Sequence, residues 1–254
     1  MTVAAIPTIA LDELLRSMAD DEFVIGFSDS EWTGIAPILE EDVAMSSLAQ
    51  DELGHATALF GLLGELLGED PNAIAYDRQP EHYRHCRLLD HARGDWAMTI
   101  ARRYLYDSAD AVRLDALAGG SWAPLSDLVA KLIREERYHL MHVGVWLNRL
   151  AHHDGEARTR LLVALRELRP DAATVFTPLP HEDTLIEAGI LEAPMSELER
   201  RWRETIGPVF ADLDLPMPPA ATELDRGRLD HREAFRWLWG EFTSVRRSEP
   251  GATW

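Results

Sequence analysis

The chain contains 254 residues and carries 44 acidic against 25 basic side chains, which gives a formal net charge of −19. With 46% hydrophobic residues it has enough apolar material for a substantial core, so global disorder is excluded. The negative charge disfavours nucleic acids and anionic membrane surfaces as partners, because both require clustered Lys and Arg. Most of the acidic side chains are therefore expected to lie on a solvated surface.

Cysteine usage and the N-terminus bear on the compartment. Cys86 is the single cysteine, so neither an intrachain disulfide nor a cysteine-based metal site is expected. The first residues lack the basic region and continuous apolar core of a signal peptide, and no long uninterrupted apolar run could span a membrane. These features predict a soluble, cytoplasmic protein.

Hydrophobic periodicity predicts four long helices in the first part of the chain, over about 9–27, 37–68, 88–117 and 124–150. The connection over 69–85 contains two prolines and is predicted to be a loop. After it come a short helix over about 156–168 and two more over about 196–212 and 222–247, with a proline-rich link between these two. No alternating pattern requires a strand. We predict an all-α single domain, with a four-helix bundle over about 9–152 and a helical C-terminal extension over about 153–254.

Two copies of one motif mark the candidate site. The second helix contains Glu52-Leu-Gly-His55 and the fourth contains Glu136-Arg-Tyr-His139. Residues three apart lie on one helix face, so each pair can offer a carboxylate oxygen and an imidazole nitrogen to one metal ion. Each pair also falls within its helix's apolar stripe, where a charge needs a partner. The pattern predicts a di-metal carboxylate centre, to which the other two helices give one carboxylate each.

Glu22 in the first helix and Asp107 in the third share the apolar faces of their helices and are the candidates for those carboxylates. Two plainer interpretations stay open. The acids of the double motif could pair with Arg or His in a polar core layer, and the run from Asp20 to Glu22 could be solvated. Four carboxylates and two imidazoles suit iron, or else manganese, and the site could also be empty.

Other features are less informative. His82, His85 and His91 match no standard metal spacing, and we interpret them as surface histidines. Trp237 and Trp239 are expected to be core or interface anchors. The chain has no phosphate loop, dinucleotide-binding glycine motif or nucleophile elbow, and no catalytic or cofactor-contacting residue is assigned beyond the metal ligands.

Several segments resemble the ferritin-like subunits of the bacterial phenylacetyl-CoA epoxidase. They are Glu31-Trp-Thr-Gly-Ile-Ala-Pro37, Gln50-Asp-Glu-Leu-Gly-His55-Ala, Thr99-Ile-Ala-Arg-Arg-Tyr-Leu-Tyr-Asp107 and Glu135-Glu-Arg-Tyr-His139-Leu. The tail, His231-Arg-Glu and then Pro250-Gly-Ala-Thr-Trp254, is similar to that of the smaller, C-type subunit. The similarity covers nearly the whole chain and implies a ferritin-like bundle.

The resemblance also implies a function. Enzymes of this family are multicomponent mono-oxygenases that convert phenylacetyl-CoA to its 1,2-epoxide in phenylacetate catabolism. A catalytic A-type subunit holds the di-iron centre, a reductase subunit delivers electrons from NADPH, and the C-type subunit is a structural partner that has usually lost metal ligands. This sequence departs from that pattern, since both Glu-x-x-His pairs are intact. The alternative from another class is a ferritin- or rubrerythrin-like iron-handling protein.

Overall fold

The computed structural model describes residues 7–220 and 227–249. Within these ranges the chain is helical, with no strand. The α-helices are α1 (Thr8–Ser30), α2 (Leu39–Leu67), α3 (Pro71–Tyr76), α4 (Trp96–Leu117), α5 (Ala123–His152), α6 (Glu156–Leu168), α7 (Glu182–Glu187), α8 (Met195–Asp212), α9 (Glu233–Phe242) and α10 (Ser244–Ser248). Short 3₁₀ turns occur at Pro80–His82, Arg87–Asp90 and Thr174–Phe176. The predicted all-α, ferritin-like class is confirmed.

Local sequence explains where the long helices begin and end. α2 carries acidic residues in its first turn, where they favour the helix dipole, and it ends at Gly68, whose φ of 71° suits glycine. α5 has a proline in its first turn, where no amide donor is needed. The predicted helices over 37–68 and 124–150 agree with these bounds within two residues.

The predicted start of the third helix at residue 88 is wrong. α4 begins at Trp96, after the Asp95 side chain accepts a hydrogen bond from the amide of Met98 at 3.0 Å. Just before this cap, Gly94 has a φ of 67°, which a helix excludes. The apolar residues over 88–95 therefore form a 3₁₀ turn and a connection instead of another helical turn.

The last predicted helix, over 222–247, is also partly wrong. Residues 222–226 lie outside the described residues, and 227–232 are not helical. Helix begins only at Glu233, because Arg228 and His231 are held by side-chain hydrogen bonds to Asp21 and Asp90. In the 69–85 connection, the short α3 and a 3₁₀ turn interrupt the predicted loop.

The chain divides into two compact units. One, called the α2 unit, comprises Leu15–Ala92 and Arg228–Trp254; the other, the α5 unit, comprises Met1–Leu14 and Arg93–Gly227. The single-domain organisation of the whole chain stays a prediction. Over 7–220 and 227–249, no helix combines the length and apolar character needed to cross a membrane.

In the α2 unit, the part of α1 from Leu15 onward packs on α2. An aromatic cluster surrounds Phe23, whose ring centroid lies 5.2 Å from that of Tyr76, 5.6 Å from that of Phe60 and 5.0 Å from that of Phe242. Phe242 belongs to α9, so the C-terminal segment, defined here as residues 228–249, contributes to the same core as α1 and α2. Such edge-to-face pairs add stability beyond area burial.

In the α5 unit, α4 is the central helix and contacts α5, α6 and α8. Most of its residues are buried on every face, including Arg102, Arg103 and Arg113. Arg113 is paired with Asp110 one turn earlier. Trp202 of α8, fully buried, donates its indole N–H to the Ser108 hydroxyl at 2.8 Å. The core of this unit therefore contains satisfied polar groups on the helix that carries Asp107.

Candidate metal centre

The first Glu-x-x-His motif lies in the α2 unit together with the carboxylate predicted from α1. The Nδ1 atom of His55 is 3.3 Å from Oε2 of Glu22 and 3.7 Å from Oε2 of Glu52. All three side chains are at most 2% exposed. The structure therefore brings Glu22, Glu52 and His55 together, with their ligand atoms within 4.8 Å of one another.

A glycine lets the two helices approach at this level. A Cβ atom built on Gly26 of α1 would lie 2.9 Å from Cγ of Leu53 and 3.1 Å from Cβ of Glu52. Real Cβ atoms do not reach the shorter distance, so a larger residue would force the Leu53 side chain or α2 itself to shift. Gly26, four residues after Glu22, thus permits the helix spacing at which Glu22 reaches His55.

The second motif lies in the α5 unit. Nδ1 of His139 is 3.0 Å from Oε1 of Glu136, and both side chains are buried. The carboxylate of Asp107 is also buried, with its Oδ2 atom 3.3 Å from Nη2 of Arg103, one turn earlier on α4. The structure therefore joins Glu136 to His139 and places Asp107 beside a guanidinium.

The Arg103–Asp107 pair is of the kind found in a polar core layer, in which a buried acid is neutralised by Arg. Sequence reasoning missed Arg103, although its spacing of four residues from Asp107 is the signal of a helical ion pair. A guanidinium is always charged, so Arg103 brings one positive charge to the buried carboxylate without any metal.

The donor chemistry of both groups fits a hard or borderline divalent metal. Carboxylate oxygens and imidazole nitrogens are ligands that iron and manganese accept. Glu22, Glu52 and His55 supply two carboxylates and one imidazole at short separations, while Glu136 and His139 supply one of each. Burial removes competing water from both groups, which strengthens the attraction between a carboxylate and a cation. The α2 unit therefore offers more metal-ligating side chains at short separations than the α5 unit does.

A second polar cluster in the α2 unit corrects the interpretation of the histidines. His82 is exposed, but His85 and His91 are buried. Nε2 of His85 lies 2.5 Å from Oδ1 of Asp90, and Nδ1 of His231 lies 3.2 Å from the same atom. The rings of His85 and His231 stack with centroids 4.2 Å apart.

This cluster is a hydrogen-bonded set that secures the start of the C-terminal segment. The second oxygen of Asp90 accepts the amide N–H of Arg232 at 2.9 Å, and His231 lies 3.0 Å from the carbonyl oxygen of Tyr83 through Nε2. Burial raises the pKa of Asp90, but the charges and hydrogen bonds of His85 and His231 outweigh it and hold this pKa below its ordinary value. Burial lowers the pKa of His85, and the neighbouring His231 acts in the same direction.

Comparison with known proteins identifies the family. A family model described as "Phenylacetic acid catabolic protein" matches residues 5–254. The chain is also 28% identical over 239 residues to the C-type subunit of the 1,2-phenylacetyl-CoA epoxidase of Escherichia coli (strain K12), across 93% of this chain and 96% of the relative. The match extends from α1 to the C-terminal segment, and this chain therefore belongs to the family of phenylacetic acid catabolic proteins.

Proposed function

We propose that the chain is the C-type subunit of a phenylacetyl-CoA epoxidase, a cytoplasmic multicomponent oxygenase. This proposal rests on the near full-length match to the family and to a relative that is the C-type subunit of this enzyme. This match favours an epoxidase subunit over the ferritin- or rubrerythrin-like alternative. The expected partners are the catalytic A-type subunit and the reductase subunit, with phenylacetyl-CoA as the substrate of the complex.

We further propose that this chain binds metal, with Glu22, Glu52 and His55 as the ligands in the α2 unit and Asp107, Glu136 and His139 as those in the α5 unit. The support is the convergence of three buried donors on one another in the α2 unit. Iron is the expected metal and manganese the alternative, given donors of this type. Bound iron of this kind supplies the capacity to activate dioxygen.

The role of these residues within the chain follows from their burial. Glu52 and His55 are one helical turn apart, so α2 presents both without a loop movement. Glu22 adds its charge from α1, and the apolar residues around them exclude bulk water. Such a buried set of donors suits a subunit with an occupied metal centre.

Metal analysis tests the proposed ligands. The purified full-length chain would be reconstituted anaerobically with Fe(II), desalted, and assayed by plasma mass spectrometry beside Glu52→Gln and Glu65→Gln. Glu65 lies on the same helix and is exposed, which makes it a matched control. We expect iron in the wild type and in Glu65→Gln, and its loss in Glu52→Gln. Iron no higher than that of the desalting blank in the wild type would refute the metal site.

Co-purification tests the partner assignment separately. The tagged chain would be co-expressed with the A-type subunit of the same organism and isolated through the tag. A stable complex that forms phenylacetyl-CoA epoxide with the reductase and NADPH is the expected result. Isolation of the tagged chain alone would refute the assignment to this complex, whatever its iron content.

A further inference from the structure

Three consecutive acidic residues of α1, Asp20, Asp21 and Glu22, are all buried, so the possible interpretation as a solvated run is wrong. Asp20 receives two hydrogen bonds from the guanidinium of Arg78, at 2.9 and 2.5 Å, and one from the amide of Arg84 at 2.7 Å. A two-pronged guanidinium–carboxylate pair fixes orientation as well as charge. The direction of the Asp20 side chain is thereby set.

Asp21 is held in a different direction, by the C-terminal segment. Nη1 and Nη2 of Arg228 donate to its two carboxylate oxygens at 2.9 and 3.0 Å, and the amide of Cys86 donates to the first of these oxygens at 2.7 Å. Nη1 of Arg228 also donates to the carbonyl oxygen of Arg84 at 2.8 Å. Arg228 is 5% exposed, so the pair is shielded from water.

Successive side chains on an α-helix point about 100° apart around its axis. Asp20 and Asp21, held in two different directions, therefore fix the rotation of α1 about its axis. This rotation in turn sets the direction in which the next residue points. That next residue is Glu22, whose Oε2 atom lies 3.3 Å from Nδ1 of His55. A small rotation of α1 would carry Glu22 away from α2.

We propose that Arg228, acting through Asp21, is a positioning residue that holds Glu22 in its metal-ligating orientation. This inference rests on the metal site proposed above. It gives the C-terminal segment a role in the centre, although Arg228 lies 206 positions after Glu22 in the sequence. Outer partners of metal ligands typically change metal affinity by about 10- to 100-fold, so an effect at the lower end is expected here.

The C-terminal segment has further anchors that do not involve Arg228. The indole N–H of Trp239 donates to the carbonyl oxygen of Arg78 at 2.9 Å, and the ring of Phe242 packs against Phe23 and Phe27. Arg246 pairs with Asp77 at 2.5 and 2.6 Å near the surface. Loss of Arg228 alone should therefore leave the segment in place, and Arg246 provides a control on the same segment.

The test compares metal affinity with stability in the full-length chain. Mn(II) binding would be titrated by electron paramagnetic resonance, which reports free Mn(II), and the melting temperature of the metal-free protein would be recorded for each variant. The variants are Arg228→Ala, Arg228→Lys, Asp21→Asn and the control Arg246→Ala. Lys keeps the charge but cannot donate to both carboxylate oxygens in the same plane.

We expect Mn(II) affinity to fall about 10-fold in Arg228→Ala and Asp21→Asn, less in Arg228→Lys, and not at all in Arg246→Ala. Wild-type Mn(II) affinity in Arg228→Ala, with a lowered melting temperature, would overturn the positioning role but leave the metal site standing. If Arg228→Ala does not fold, the same result in Arg228→Lys and Asp21→Asn decides the question. A wild-type chain that binds neither Mn(II) nor Fe(II) would overturn the proposed metal site, and this inference with it.

Discussion

The hairpin of α1 and α2 and the hairpin of α4 and α5 carry the same Glu-x-x-His motif, yet they differ in what surrounds it. In the first, Glu22 of the neighbouring helix lies next to the imidazole of His55. In the second, Asp107 of the neighbouring helix lies next to the guanidinium of Arg103. Helical spacing fixes the pair within one helix, but the position of the carboxylate from the neighbouring helix depends on helix rotation and on the cations within its reach.

The two hairpins therefore balance buried negative charge in different ways. Two carboxylates and a single imidazole converge in the first hairpin, a set that favours an added cation. The second hairpin already supplies a fixed cation beside Asp107. The proposed metal site should therefore depend most on the residues of the first hairpin, and the metal-free fold most on Arg103.

Removal of Arg103 should have the largest effect. Arg103→Ala would leave the buried carboxylate of Asp107 without its neighbouring guanidinium, and breaking a buried pair on one side costs about 3–5 kcal/mol. Urea denaturation of the metal-free protein would measure the loss. Arg160→Ala, which removes exposed ion pairs of the same unit, is the control and should cost far less, because solvent screens such pairs. Equal losses would show that the Arg103 pair carries no special weight.

The two imidazoles provide the most direct comparison of the hairpins. His55→Ala removes an imidazole ligand that lies between two carboxylates. It should weaken Mn(II) binding by more than about 100-fold, which exceeds the effect on metal affinity expected for a residue that only contacts a ligand. His139→Ala should have the smaller effect, since Arg103 already serves Asp107 in that hairpin. Calorimetric titration of both variants with Mn(II) would measure this. A larger loss in His139→Ala would reverse the ranking.

Two glycines on the first hairpin should respond in opposite directions. Gly26→Ala would press a methyl group against Leu53 and Glu52, and overpacking of this kind costs about 1–3 kcal/mol. Gly54→Ala adds its methyl group where nothing lies within 4 Å, so it should stabilise α2 by about 0.5–1 kcal/mol. Chemical denaturation would compare them. Two changes of the same sign would contradict the close approach of α1 and α2 at Gly26.

Much of this architecture could be predicted from the sequence, because periodicity and helix signals are local. The Gly68 stop of α2 and the faces of Glu52 and Glu136 follow from such patterns. The non-helical start of the C-terminal segment could not be predicted, since Arg228 is held by Asp21, 207 positions earlier. The same holds for His85, whose buried ring stacks on that of His231. Contacts between residues so far apart in sequence produce no periodic pattern from which they could be predicted.

The smallest expected effect is the pH dependence of stability that His85 gives to the α2 unit. Because burial and His231 lower the pKa of His85, the folded state binds fewer protons at this ring than the unfolded chain does. Its contribution to the free energy of unfolding of the α2 unit should therefore be present above the ordinary His pKa of about 6.5 and decline as the pH falls below it. Nδ1 of His85 has no hydrogen-bond acceptor within the described ranges, so a proton placed there would stay unsatisfied.

His85→Gln tests this contribution, since the Gln amide can still donate to Asp90 from a position near that of Nε2 but does not titrate. Melting temperatures between about pH 7.5 and pH 5.5 should fall less steeply in His85→Gln than in the wild type. His152→Gln, at the exposed end of α5, should keep the wild-type slope. A wild-type slope in His85→Gln would show that the response of the α2 unit to acid comes from other groups.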